Sequence, residues 1–206
     1  MLSRILLVFS LCALWVVPVH FAYAQVGGGS NADQSQKEQD LAKAQSDALK
    51  ERVNTVMKRL DEADLTHFMV MYTNYTMYSM VKAVRDDVSG AVSGCAENNP
   101  EMADDLNSKF SKWDKNVGDS MKQVDSNIKS LGLAQNYITQ NELGMIYDLV
   151  DETRAVNSSQ FEKTPVTTSE ACEFMMSKMD ETQENMVRLL AATMQSYPNM
   201  LKKTQE

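Results

Sequence analysis

The sequence comes closest to a site for chemistry at His67, Met69 and Met71, an imidazole and two thioethers within one short stretch. Soft sulfur ligands with a nearby imidazole suit Cu(I), and helical proteins can hold haem between one His and one Met. As a ligand set the stretch is weak. Beyond residue 24, His67 is the only histidine, so one chain offers neither a two-histidine zinc site nor paired Glu-x-x-His motifs. Other methionines, such as Met77 with Met80 and Met176 with Met179, lie on or beside apolar stripes, where the flexible thioether fills irregular cores. The expectation is therefore no resident metal or cofactor. His67 reads as a polar residue in a helical seam, bonded to Asp64 or to another helix, with Asn74 on the same seam helping to fix register.

Catalytic patterns are missing from the sequence: no Gly-x-Ser-x-Gly, His-Glu-x-x-His or phosphate-binding glycine loop occurs. Asp86-Asp87, Asp104-Asp105 and Asp151-Glu152 are adjacent acids of the kind that glycoside hydrolysis needs at a defined separation. On helices such pairs are expected to be solvated faces. Asn74-Tyr75-Thr76 and Asn157-Ser158-Ser159 fit the N-glycosylation pattern, with Asn74 expected to face inward.

The elements that would position these residues are all helical. Leu49, Val53, Val56, Leu60, Ala63, His67, Val70, Asn74, Met77, Val81, Val84, Val88, Ala91 and Cys95 follow one another at steps of three and four. Unbroken from Gln36 to Ser93, such a helix would be about 87 Å long, whereas a compact domain of this size has a radius of gyration of about 16 Å. Either its first half projects as a coiled coil or the chain folds back. Asp61, Asp64 and Thr66 are candidate caps for a break at 61–66, and the break is the expected form.

Asn99-Pro100 predicts the next helix start, and a stripe from Met102 through Trp113 to Leu131 carries that helix to a stop at Gly132. Thr139 with Glu142, and Thr167 with Glu170, are capping boxes for two more helices. The first buries Leu143, Ile146, Tyr147 and Val150 and runs toward Phe161. The second carries Cys172, Met175, Met179, Met186, Leu190 and Met194 until Pro198 stops it. The reading is an all-α, antiparallel bundle of four to five helices over residues 37–206, one domain, preceded by a flexible tail at 25–36 that contains Gly27, Gly28 and Gly29.

Residues 1–24 read as a signal peptide: Arg4, an apolar run from Ile5 to Val19, and Ala22-Tyr23-Ala24 before the cleavage point. Pro18 and the short run argue against a retained anchor. Cys12 sits after bulky Leu11 and inside the run, which does not fit a lipoprotein. Cleavage leaves 28 acidic and 19 basic side chains, a formal −9. That balance argues against nucleic acid as a partner, and no later stretch is apolar enough for stable membrane insertion. The product is expected to be periplasmic or secreted.

Two cysteines then remain. With short loops, Cys95 at the end of the second helix and Cys172 at the start of the fifth fall at the same end of the bundle, and an oxidising compartment predicts a disulfide between them. The function expected from all this is a non-enzymatic, protein-binding or structural module of the cell envelope, acting on a protein partner or by self-association. The alternative is a small-ligand carrier holding haem, Cu(I) or an apolar molecule in the bundle core.

Overall fold

The computed structural model describes residues 31–159 and 165–203, with side-chain surroundings described for 36–159 and 165–194. The expected signal peptide, residues 25–30 of the expected tail, and Phe161 lie outside the described residues. Five α-helices, with no strand among the described residues, form an all-α bundle: α1 (Asn31–Met57), α2 (Glu62–Asn98), α3 (Ala103–Leu133), α4 (Gln140–Ser159) and α5 (Ser169–Lys203). The tail expected through residue 36 is shorter, since α1 begins at Asn31.

The break expected at residues 61–66 falls earlier, at residues 58–61, and residues 62–66 are already helical in α2. Arg59 and Leu60 close the end of α1 with i→i−3 bonds to Val56 and Met57. Asp61, in extended backbone, caps α2 by accepting from the Asp64 amide at 2.9 Å. Glu62 and Asp64 add negative charge to the first turn, where the helix dipole favours it. Arg59 then ties the corner to α4 through Glu142 at 2.5 Å.

Paired residues fix the helix directions. Arg85 on α2 grips Asp114 on α3 across an antiparallel pair. Lys109 meets Asp180, and Asn116 meets Gln183, so α5 runs alongside α3 in the same sense. Together α2, α3 and α5 enclose one core around Trp113, Val117, Val124, Met179 and Leu190. A second core joins Val53 and Val56 of α1, Phe68 and Met71 of α2, Leu131 of α3, and Leu143 and Ile146 of α4. The backbone of α1 runs mainly along α4, antiparallel to it, as the Arg59–Glu142 and Gln45–Thr153 pairs show, and Tyr147 packs against both cores.

Several boundaries differ from those the sequence suggests. Gly132 does not stop α3: it is buried inside the helix, where a Cβ would stand 3.3 Å from Leu143 Cδ2. The glycine serves close helix approach, not a left-handed cap. Thr168, not Thr167, caps α5, accepting from the Ala171 amide at 3.3 Å. The Thr167 carbonyl is instead held by Asn99. Pro198 does not stop α5, which continues to Lys203. A proline forfeits the bond to the carbonyl four residues back, which weakens a helix without necessarily ending it.

The far end of the bundle is joined at Cys95 and Cys172, which stand at disulfide distance with Cα atoms 5.8 Å apart. Asn99 does not cap with its side chain as expected. Its buried amide nitrogen donates to the carbonyls of Cys95 (3.1 Å) and Thr167 (3.0 Å) and lies 3.5 Å from Cys172 Sγ. One side chain thus holds the end of α2, the approach to α5 and the bridge together.

The bridge closes a long loop, its cysteines 77 positions apart, worth about 4 to 5 kcal/mol in the chain-entropy model. Cys95→Ala/Cys172→Ala protein, assayed against oxidised wild type, is expected to melt about 10 °C or more lower. An unchanged Tm would show that the bridge does not constrain the unfolded chain.

Candidate functional site

The polar groups of the bundle concentrate where α2 meets α4. On α2, Tyr75 and Ser79 are one turn apart and turn the same way, toward Asp151 and Arg154, which are also one turn apart on α4. Ser79 Oγ donates to Asp151 Oδ1 at 2.6 Å and accepts from Arg154 Nε at 3.0 Å. Tyr75 donates to Asp151 Oδ2 at 3.0 Å, and Arg154 Nη2 donates to the Thr76 carbonyl at 3.0 Å. One carboxylate and one guanidinium therefore neutralise each other through a buried serine.

The Tyr75 ring stacks on Tyr147, with centroids 3.8 Å apart. Burial first, then the Asp151 charge, pushes the Tyr75 phenol well above the ordinary tyrosine range, and burial does the same for Tyr147. Both phenols remain neutral at any physiological pH, and Tyr75 acts as a donor. Close by in sequence, Asn74 Nδ2 and Tyr147 Oη are buried with no hydrogen-bond partner in the protein, a cost of roughly 1 to 3 kcal/mol each. Two open clefts of about 420 and 570 Å³ flank Arg154, the first lined on its apolar side by Leu49, Tyr72, Met80 and Val150.

His67 lies elsewhere, in the second turn of α2. Its Nδ1 is 2.9 Å from the Tyr137 hydroxyl, in the α3–α4 connection, and the two rings meet edge to face. The partner expected for His67 is Asp64 or another helix; the bond it makes is to Tyr137, in the connection between α3 and α4, while Asn74 lies about 10 Å further along the helix axis. His67, Met69 and Met71 do not converge. Residues two apart on a helix point nearly opposite ways, and Met71 is fully buried in the second core. Among the described residues no three His, Cys, Asp or Glu side chains come together in a metal-binding group.

Asp86, Asp87, Asp104 and Asp105 are exposed, as expected for solvated faces. Asp151 is the exception, half-buried in the seam while its neighbour Glu152 is exposed. The signal available in the sequence was the three-residue spacing of Asp151 and Arg154 opposite a helix that carries Tyr75 and Ser79 among apolar residues. Asn74 is 1% exposed, whereas Asn157 of the other glycosylation pattern is at the surface.

No protein-family model, curated protein or solved structure matches the chain. The seam is thus interpreted from its own geometry. Both Asp151 oxygens and the Ser79 hydroxyl are satisfied within it, which makes it a joint between helices.

Asp151→Ala removes the acceptor of Tyr75 and Ser79 and leaves Arg154 without its counter-charge. Urea unfolding should show a loss of about 3 kcal/mol, with Asp151→Asn losing about 1 to 2. Equal stability in all three proteins would mean that the seam contributes nothing to α4 docking.

A pH dependence follows from His67. Burial lowers its pKa below 6.5, a smaller opposing contribution coming from Asp64. The unfolded chain therefore binds the proton more readily, and the stabilisation present above pH 6.5 is lost as pH falls through and below that value. Wild type should lose Tm between pH 7 and pH 5, and His67→Gln should lose measurably less; identical losses would contradict the assignment.

Proposed function

We propose that the protein is an exported, non-enzymatic helical-bundle module of the cell envelope that presents a helix face to a protein partner or to a second copy of itself. The observation that carries this reading is the α1–α4 layer. α1 lies against α4 on one side only, and Leu41 on α1 and Met145 on α4 stay exposed on this layer. The start of α1 is polar in sequence, and residues 36–40 add no side chain to either core. A helix polar all round earns its place by bridging or by partner contact rather than by packing.

A disulfide-distance pair, and no described helix long and apolar enough to cross a membrane, are compatible with an extracytoplasmic location. Cleavage after Ala24 would release the bundle into the periplasm or the medium. A second reading, a carrier of a small apolar molecule, draws on the cleft of about 420 Å³ beside Arg154, a volume within the range of small-molecule sites.

Photo-cross-linking residues placed singly at Leu41, Met145 and, as a control, exposed Lys122 test the reading in the native host. Mature protein beginning at Gln25 should give discrete protein adducts from positions 41 and 145 and none from 122. Mature protein with no adduct at either position, but with a stoichiometric organic ligand in its extract, would overturn protein binding in favour of the carrier.

A further inference from the structure

The helix break that folds α1 back is not written into the sequence as a permanent corner. Its residues, Lys58, Arg59, Leu60 and Asp61, include neither glycine nor proline, and Lys, Arg and Leu are strong helix formers. The apolar register also runs through it. Val53, Leu60, His67, Asn74, Val81, Val88 and Cys95 recur at seven-residue intervals, and each is buried or half-buried although the first two precede α2 and the rest lie within it. A corner that is only a corner has no reason to keep the heptad phase of one continuous helix.

What holds the corner shut is correspondingly small: the Asp61 cap on the Asp64 amide, the Arg59–Glu142 ion pair, and the packing of α1. That packing is the second observation. The backbone of α1 lies mainly along α4, with Thr153 Oγ1 3.4 Å from the Gln45 carbonyl midway along the pair, and its Val53 and Val56 join the core that α4 shares with Phe68 and Met71 of α2. Every contact that α1 makes with α4 is therefore available from the α4 of another copy.

We propose that α1 exchanges between two copies of this chain. Residues 58–61 become helical, α1 and α2 join into one helix over residues 31–98, and each α1 lies on the α4 of the other copy. The contacts of the closed form are reproduced between chains, which is why exchange of an identical element costs so little. The opened corner adds helical hydrogen bonds and gives up one cap. This rests on the self-association branch of the proposed function and identifies the partner as a second copy.

The test uses single-cysteine additions to the full chain, in which the native Cys95 and Cys172 are retained. Gln45→Cys chains and Thr153→Cys chains are mixed at high concentration, oxidised, and analysed by light scattering and non-reducing peptide mapping. Neither variant can form the engineered bridge within itself. The expected result is a dimer whose map contains the peptide of position 45 linked to that of position 153 of the other chain. A monomer at every concentration, or a dimer without that link, overturns the exchange; the cross-linking test at Leu41 and Met145 judges protein binding separately.

Asp61→Pro supplies the hinge control. Asp61 already sits at φ −73°, which proline adopts readily, but a proline there opposes a helix running through. The variant should remain a folded monomer by circular dichroism and mass, with the linked dimer reduced by about tenfold or more. An undiminished linked dimer would show that the hinge does not straighten and would likewise overturn the proposal.

Discussion

α2 has to satisfy two cores at once, and the rest of the structure follows from that requirement. Its face through Val81, Val92 and Cys95 closes the core shared with α3 and α5, while Phe68 and Met71 belong to the core shared with α1 and α4. An amphipathic surface helix buries one stripe. α2 buries more than one in its first half, and its polar residues on the second face must find partners there. Tyr75 and Ser79 find Asp151 and Arg154. The position of α4 is thus set by directional bonds, and α1 inherits its own position from α4.

That double duty explains which parts of the structure were legible in the sequence. The helical class, the break at Asp61 and the meeting of Cys95 with Cys172 depend on local caps and on chain direction, both visible in one dimension. Thr139 shows the limit. Its hydroxyl accepts from the Glu142 amide at 3.1 Å, as a capping box requires, but the Glu142 carboxylate turns to Arg59 in the corner between α1 and α2. A window of four residues cannot report a competitor 83 positions away. Asp151 was obscured for the same reason, since adjacent acids look alike whether or not a buried serine and tyrosine stand opposite one of them.

His67 and Gly132 were misplaced for a different physical reason. A stripe drawn at steps of three and four assumes that one face of α2 is inside, and it assigns His67 and Val70 to that face. With neighbours on two sides, the fully buried positions there are Phe68 and Met71, one residue round, while His67 points to Tyr137. Gly132 reads locally as a helix stop because glycine so often ends helices. Its place is set by Leu143 on the next helix, whose Cδ2 would stand 3.3 Å from a Cβ there and would have to shift slightly to admit one.

A buried polar joint also has consequences that an apolar one lacks. Asp151 and Arg154 are half-buried and meet through the Ser79 hydroxyl, not as a direct ion pair, so their net contribution is small although removing either leaves seam groups without partners. What the joint supplies is specificity: an apolar α2–α4 contact would tolerate a slide of one turn, whereas Ser79 between Asp151 and Arg154 tolerates none. Asn74 Nδ2 and Tyr147 Oη are buried in the same region without a partner in the protein, as Trp113 Nε1 and Asn127 Nδ2 are elsewhere in the bundle. The α1–α4 layer is therefore accurately placed but held with little free energy to spare. The opposite end, where Trp113 and Leu106 are fully buried and Cys95 meets Cys172, is held by packing and a covalent link. Local opening should accordingly begin in the layer and leave the three-helix body intact.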